Sequence, residues 1–209
     1  MIPHTTPGAE VQNIGAGNWR LSIPPGIQGN YRLAQHDDYP HLPRRDFLWI
    51  PPLHMSLSAR VSETLLPGTW GFGFWNDPFN ISLGLGGTAR RLPSLPNAAW
   101  FFHASEQNYL SLRNEQPAHG MLMATFSSPR IPSLFLSPGI PFLPFLSVPF
   151  TSKYLRRMAS LMIHEDAAEL DIDPTVWHHY QIEWHLEKVS FYLDDQVQFE
   201  TETSPKGKL

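Results

Sequence analysis

Cysteine is absent from the 209 residues. That removes disulfide frameworks, thiolate nucleophiles and thiolate metal sites together, and it leaves the compartment open because secreted proteins need not carry disulfides. Positive charge is scarce too: 15 lysines and arginines face 19 aspartates and glutamates, a formal net charge of -4. This balance lacks the electrostatic footprint of a nucleic-acid binder, so no nucleic-acid partner is expected. Met1 to Gly8 shows no basic segment leading into an apolar run, so no signal peptide is visible and the cytoplasm is the default compartment. The most apolar tract, Leu134 to Phe150, is broken by Pro138, Pro141, Pro144 and Pro149. A membrane-spanning helix of about 20 residues would not tolerate them, so the tract reads as a loop and no membrane partner is expected.

What the chain does have is core material. With 42% hydrophobic, 12% aromatic and only 16% charged residues, it is suited to one folded β domain over residues 1–209. Residues 1–30, rich in Gly, Pro and small polar side chains, read as a poorly ordered or edge segment, with a short alternating strand at Trp19 to Ile23. Tyr31 to Gln35 reads as another short strand, and His36-Asp37-Asp38-Tyr39 as a polar loop, where a solvated turn is favoured over metal binding.

The strand signals are strongest around Gly68 to Asp77. Successive side chains of a strand point to opposite faces, so Trp70, Phe72 and Phe74 form one apolar face, while Gly71, Gly73 and Trp75 form a face that is almost bare backbone. Such a surface suits close approach by a ligand or by another part of the chain. Leu53 to Val61 alternates as a half-buried strand; it is expected to pair with Trp70 to Trp75 in one antiparallel sheet. Asn97 to Ala104, Gly120 to Phe126, Trp177 to Trp184, Val189 to Leu193 and Gln196 to Phe199 read as further strands, with a turn at Asp194-Asp195. Helical spacing from Ser152 through Tyr154, Leu155, Met158, Leu161, Met162 and Ala168 predicts one helix over 152–170. Gly84 to Arg91 lacks the lysine and hydroxyl ending of a phosphate loop. Many short strands with one helix predict a mainly antiparallel β-sandwich.

Two separated segments carry a resemblance. Trp177-His178-His179-Tyr180-Gln181-Ile182-Glu183-Trp184 followed by Val189-Ser190-Phe191-Tyr192-Leu193-Asp194-Asp195 resembles the W/F-H-x-Y-x-I-x-W…I-x-F-Y-V-D-G segment of concanavalin A-like lectin/glucanase domains, notably laminarinase-type glycoside hydrolases of family 16. Ser56 to Val61 followed by Pro67 to Trp75 is similar to that family's G-x-F-E-A-R-x-x-x-P…G-x-W-P-A-F-W, in the same order. The resemblance covers about a third of the chain and implies a jelly roll of two curved sheets with carbohydrate bound across the concave one. It implies no cofactor, although related folds sometimes carry a structural calcium.

The family hydrolases carry E-x-D-x-E or E-x-D-x-x-E on one strand, because retaining hydrolysis needs two carboxyl groups about 5 to 5.5 Å apart. No such run occurs in this chain. The strand that should carry it presents Ala99, Phe101 and His103 on one face and Ala98, Trp100, Phe102 and Ala104 on the other. Glu165-Asp166 and Asp194-Asp195 are adjacent carboxylates that read as solvated charge. The sequence ends at Ser204 to Leu209, before the closing strand such a fold requires, which reads as a truncation and implies self-association through the open edge. A glucanase-like but non-catalytic carbohydrate-binding module is therefore expected, with a poly- or oligosaccharide partner. Its floor is Trp75, with Asn76, Asp77, His103, Glu106 and Gln181 as polar groups. Two alternatives are a protein-interaction scaffold and a glycoside hydrolase whose acids have moved to Glu106 with Asp77 or His103.

Overall fold

A computed structural model describes residues 1–27, 30–78, 94–109, 111–113, 115–131 and 160–209. Among these residues the chain forms twelve strands: β1 (Ile2–Thr5), β2 (Glu10–Gly15), β3 (Asn18–Ser22), β4 (Ala34–Asp37), β5 (Leu53–Ala59), β6 (Thr69–Trp75), β7 (Ala98–Ala104), β8 (Gly120–Ser127), β9 (His164–Glu169), β10 (His178–Trp184), β11 (Val189–Leu193) and β12 (Gln196–Thr201). A single 3-10 turn at Arg44–Asp46 is the helical content of the described residues. No helix among them is long and apolar enough to cross a membrane.

The strands form two four-stranded antiparallel sheets, β6-β7-β8-β9 and β12-β11-β10-β5, and two ribbons, β1-β4 and β2-β3. The alternation in the sequence explains why the large sheets meet. Phe74, Phe101 and Met123 face inward from the first, and Tyr180, Ile182, Trp184 and Phe191 from the second, all buried in one cluster. Phe101 lies edge-on to Tyr180 at 5.0 Å and to Phe191 at 5.2 Å, and Phe74 meets Trp184 at 5.5 Å. Such aromatic pairs add about 0.5–1.5 kcal/mol each beyond the area they bury. The Trp184 indole Nε1 donates to Ser204 Oγ at 3.2 Å, which satisfies its polar edge inside the core.

The apolar face expected of Trp70, Phe72 and Phe74 on β6 is the one that packs on the core. Three expectations need correction. β5 and β6 do not pair: β5 lies against β10, from Leu53↔Trp184 to His178↔Ala59, and β6 against β7. The nine residues between them are too many for a tight hairpin, and the chain crosses from one sheet to the other.

The helix expected over 152–170 is overturned in its described part, because His164–Glu169 is β9, paired with β8 from Leu122↔Glu169 to Ser127↔His164. The two periodicities coincide there. Ala168 packs on the inter-sheet core and Ala167 on the opposite side of the sheet, an alternation that helical spacing of apolar residues had masked. Leu161 and Met162 are exposed, so these two residues of the expected apolar stripe are not buried. Residues 152–159, the Gly84 to Arg91 segment and the Leu134 to Phe150 tract lie outside the described residues.

The third correction concerns Glu165 and Asp166, which are not solvated charge. Glu165 is buried and accepts the Leu112 N–H at 2.8 Å, and Asp166 accepts the Thr201 hydroxyl. The N-terminal segment carries β1, β2 and β3, and the short strand near residue 31 is shifted to β4. Leu209 is buried and exchanges two main-chain hydrogen bonds of 3.0 Å with Trp49.

Candidate functional site

Trp75 ends β6, an edge strand, and Asn76 and Asp77 carry the chain out of the sheet. The near-bare face of β6 is approached by the chain itself. Trp100 stands opposite Gly73 and Phe102 opposite Gly71. A Cβ on Gly71 would fall 2.3 Å from the Phe101 carbonyl oxygen, and one on Gly73 2.5 Å from Trp100 Cα. Gly73 also has φ +154°, a conformation L side chains rarely adopt. Trp100 and Phe102 stack at 4.8 Å, and Trp75 meets Trp100 at 5.7 Å. The result is a strip of three half-buried rings beside Gly71 and Gly73, both of which stay exposed.

Part of this side of the sheet is covered. Ala98, Ala124, Phe126 and Ile163 form a small buried cluster against which Trp75 and Trp100 pack. Trp100 Nε1 is buried with no hydrogen-bond partner.

Polar groups gather at the Trp75 end. Trp75 Nε1 donates to Tyr39 Oη, and the two rings meet edge-on at 6.3 Å. Gln35 Nε2 reaches Asp37 Oδ2 at 2.7 Å and Tyr39 Oη at 3.1 Å. Asp37 Oδ1 is 3.7 Å from His4 Nε2, and neither atom has a hydrogen bond. Burial raises the Asp37 carboxyl above the ordinary carboxylate range, opposed in part by His4 and Gln35. Burial, aided by the negative charges of Asp77 and Asp37, raises the Tyr39 phenol as well, so it stays a neutral donor. Among the described residues no group of three His, Asp or Glu side chains is arranged to hold a metal ion.

The six residues expected from the sequence fall into four places. Trp75, Asn76 and Asp77 are together. Asn76 is buried, and its amide is taken up by Ser94 Oγ at 3.0 Å, the Leu95 carbonyl at 2.8 Å and the Asn97 N–H at 2.9 Å. Asp77 is buried with φ 49°, and its carbonyl accepts from Arg44. His103 points to the opposite side of the sheet, stacked on Trp70 at 5.6 Å; Nδ1 has no partner and burial lowers its basicity.

Glu106 is exposed in the turn after β7. Thr69↔Ala104 and Trp75↔Ala98 mark the two ends of the β6–β7 ladder, so Glu106 lies about 20 Å from Trp75 at the usual strand rise. Gln181 is on the outer face of the other sheet, bonded to His54 and Asp195. The groups the sequence did not single out are Gln35, Tyr39 and Trp100. An extended register that set Trp100 against Gly73 was the available signal for Trp100; Tyr39 arrives through a contact spanning 36 residues. No protein-family model, curated protein or solved structure matches the chain.

Proposed function

We propose that the chain is a non-catalytic saccharide-binding domain of the concanavalin A-like, jelly-roll sandwich type. Its binding surface is the strip Trp75, Trp100 and Phe102, with the Trp75 corner supplying the polar contacts. The observation that carries this reading is the pairing of three half-buried rings with exposed, side-chain-free backbone at Gly71 and Gly73 on an edge strand. Pyranose rings stack on aromatic faces, and their hydroxyls require fixed donors and acceptors. Gln35, Asp37 and Tyr39 form such a fixed set.

The outward positions of β7 bear Ala98, Trp100 and Phe102, none of which is a nucleophile or proton donor. Glu106 and His103 are too far from Trp75, or on the wrong side of the sheet, to replace the acids. Hydrolysis by a Glu106 pair therefore has no geometric support. The test is a tryptophan-fluorescence titration with a panel of β-glucans and related polysaccharides. The emission of the native chain is expected to change with at least one of them, and that response should shrink in Trp75→Phe. An unchanged spectrum across the panel counts against the reading.

A second reading, a protein-interaction domain, is favoured by the buried cluster of Ala98, Ala124, Phe126 and Ile163 that closes part of the same side. It predicts no polysaccharide response together with an oligomer by light scattering.

A further inference from the structure

A depression opens on the outer face of the second sheet, where β5 begins and β10 ends. Its volume is about 290 Å³, and Pro52, Leu53, His54, Glu183 and His185 line it. That is the lower end of the range for ligand pockets, which suits a small molecule. The strand register explains the lining. His54 stands directly opposite Glu183, and His185 follows two residues on, where its N–H donates to the Lys188 carbonyl at 2.8 Å and closes the hairpin after β10.

Two acceptors meet at this rim. Glu183 Oε2 accepts the Tyr192 hydroxyl at 3.0 Å, a bond that holds the carboxylate in place and raises the Tyr192 phenol. Glu183 is half-buried, and among the described residues it forms no ion pair and its Oε1 accepts no hydrogen bond. Lys188 feels the Glu183 charge, but its ammonium is paired with Glu200.

His54 is set as the second acceptor by its neighbours. A carboxylate only accepts, so Gln181 turns its Nε2 to Asp195 Oδ1 at 2.7 Å and to His179 Nδ1 at 3.3 Å. Gln181 Oε1 then faces His54 Nε2 at 3.2 Å, and that nitrogen must carry the hydrogen. In the neutral ring the lone pair is left on Nδ1.

We propose that this depression binds short primary alkylammonium ions, with the ammonium shared between Glu183 Oε1 and His54 Nδ1 and the alkyl stem against Pro52 and Leu53. Side chains directly opposite on an antiparallel pair have Cβ atoms about 4.5 to 5.5 Å apart, close enough for one ammonium to touch both. An ammonium brings a positive charge and three N–H donors, which match a carboxylate without an ion pair and an imidazole lone pair. An anion would meet the Glu183 charge, and an alcohol has a single donor. Among the described residues no three His, Asp or Glu side chains are arranged around a metal ion, so the cation is an organic one.

The test titrates the full chain at neutral pH with n-butylammonium chloride, in buffer containing EDTA, and follows the His54 and His185 imidazole signals by NMR. A saturable shift of both is expected. Glu183→Gln keeps the shape and an acceptor for Tyr192 but removes the charge, and it should weaken binding about 10-fold or more, the weight of a hydrogen bond to a charged group. The n-butyltrimethylammonium ion has the same charge and no N–H, and it should bind the native chain about 10-fold more weakly as well. No saturable shift, equal affinity in native and folded Glu183→Gln protein, equal affinity for the trimethyl ion, or a shift seen only when EDTA is left out would each overturn the assignment. The polysaccharide response at Trp75 concerns the other sheet, so either proposal can fail without the other.

Discussion

A single methyl group decides whether β6 and β7 can pair. At Gly73 the added carbon would sit 2.4 Å from the Ala99 carbonyl oxygen, and the backbone has φ +154°. Neither the neighbouring backbone nor the torsion can yield cheaply, so Gly73→Ala is expected to cost about 2 to 4 kcal/mol. The midpoint of urea unfolding measures it; an unchanged midpoint would show that β7 shifts to make room. Glu165 makes a residue-scale prediction of the opposite kind. Burial raises its carboxyl above the ordinary 4.5, against the opposing hydrogen bond from Leu112. With the folded value above the unfolded one, the native state holds the extra proton, so this group's stability is fully present at low pH. It is lost as pH rises through the folded value. Glu165→Gln keeps an acceptor for Leu112, and it should flatten the fall in stability above about pH 4.5 while raising stability at neutral pH. Urea midpoints across that range for both proteins test the direction.

Among the elements, the joints between strands matter more than the strands themselves. Asn97, at the entry to β7, is buried; its Oδ1 accepts from Ser128 N at 3.1 Å and Lys206 N at 2.8 Å, and its Nδ2 donates to Ser128 Oγ at 2.9 Å. One side chain ties β7, the end of β8 and the C-terminal segment. Asn97→Ala leaves buried donors unpaired and should cost about 2 to 4 kcal/mol, seen as an earlier unfolding transition. The β11–β12 turn is the contrasting case. Asp194 and Asp195 both have positive φ, 48° and 65°, a conformation glycine adopts without strain. Asp195→Gly should therefore be neutral or stabilising by up to about 1 kcal/mol while removing the carboxylate from His179. A melting temperature below that of the native chain would contradict this.

These joints explain what the sequence disclosed. Period-two alternation placed β10, β11 and the inner face of β6 because one buried face pins the register. It is silent on partner choice, and so does not place β5 against β10. It also lost β9, where Ala167 and Ala168 fit both periodicities. At the site, Trp75, Asn76 and Asp77 were legible because they are contiguous. His103, Glu106 and Gln181 were grouped with them by residue type alone, and strand length and layer separate them in space. Tyr39 and Gln35 reach Trp75 through a tertiary contact that local pattern does not encode.

At the scale of the whole molecule, two four-stranded sheets share one aromatic core, and each offers a different outer surface. The β6–β9 sheet shows aromatic rings and exposed glycine backbone; the β5–β12 sheet shows hydroxyl, imidazole and carboxylate groups linked by short hydrogen bonds. The proposed account assigns saccharide contact to the first. Affinity electrophoresis of the native chain through gels containing each polysaccharide measures this most directly. The account predicts retarded migration in at least one gel, with the retardation reduced in Trp75→Phe. Identical mobility of both proteins in every gel, at the rate seen without polysaccharide, would contradict it.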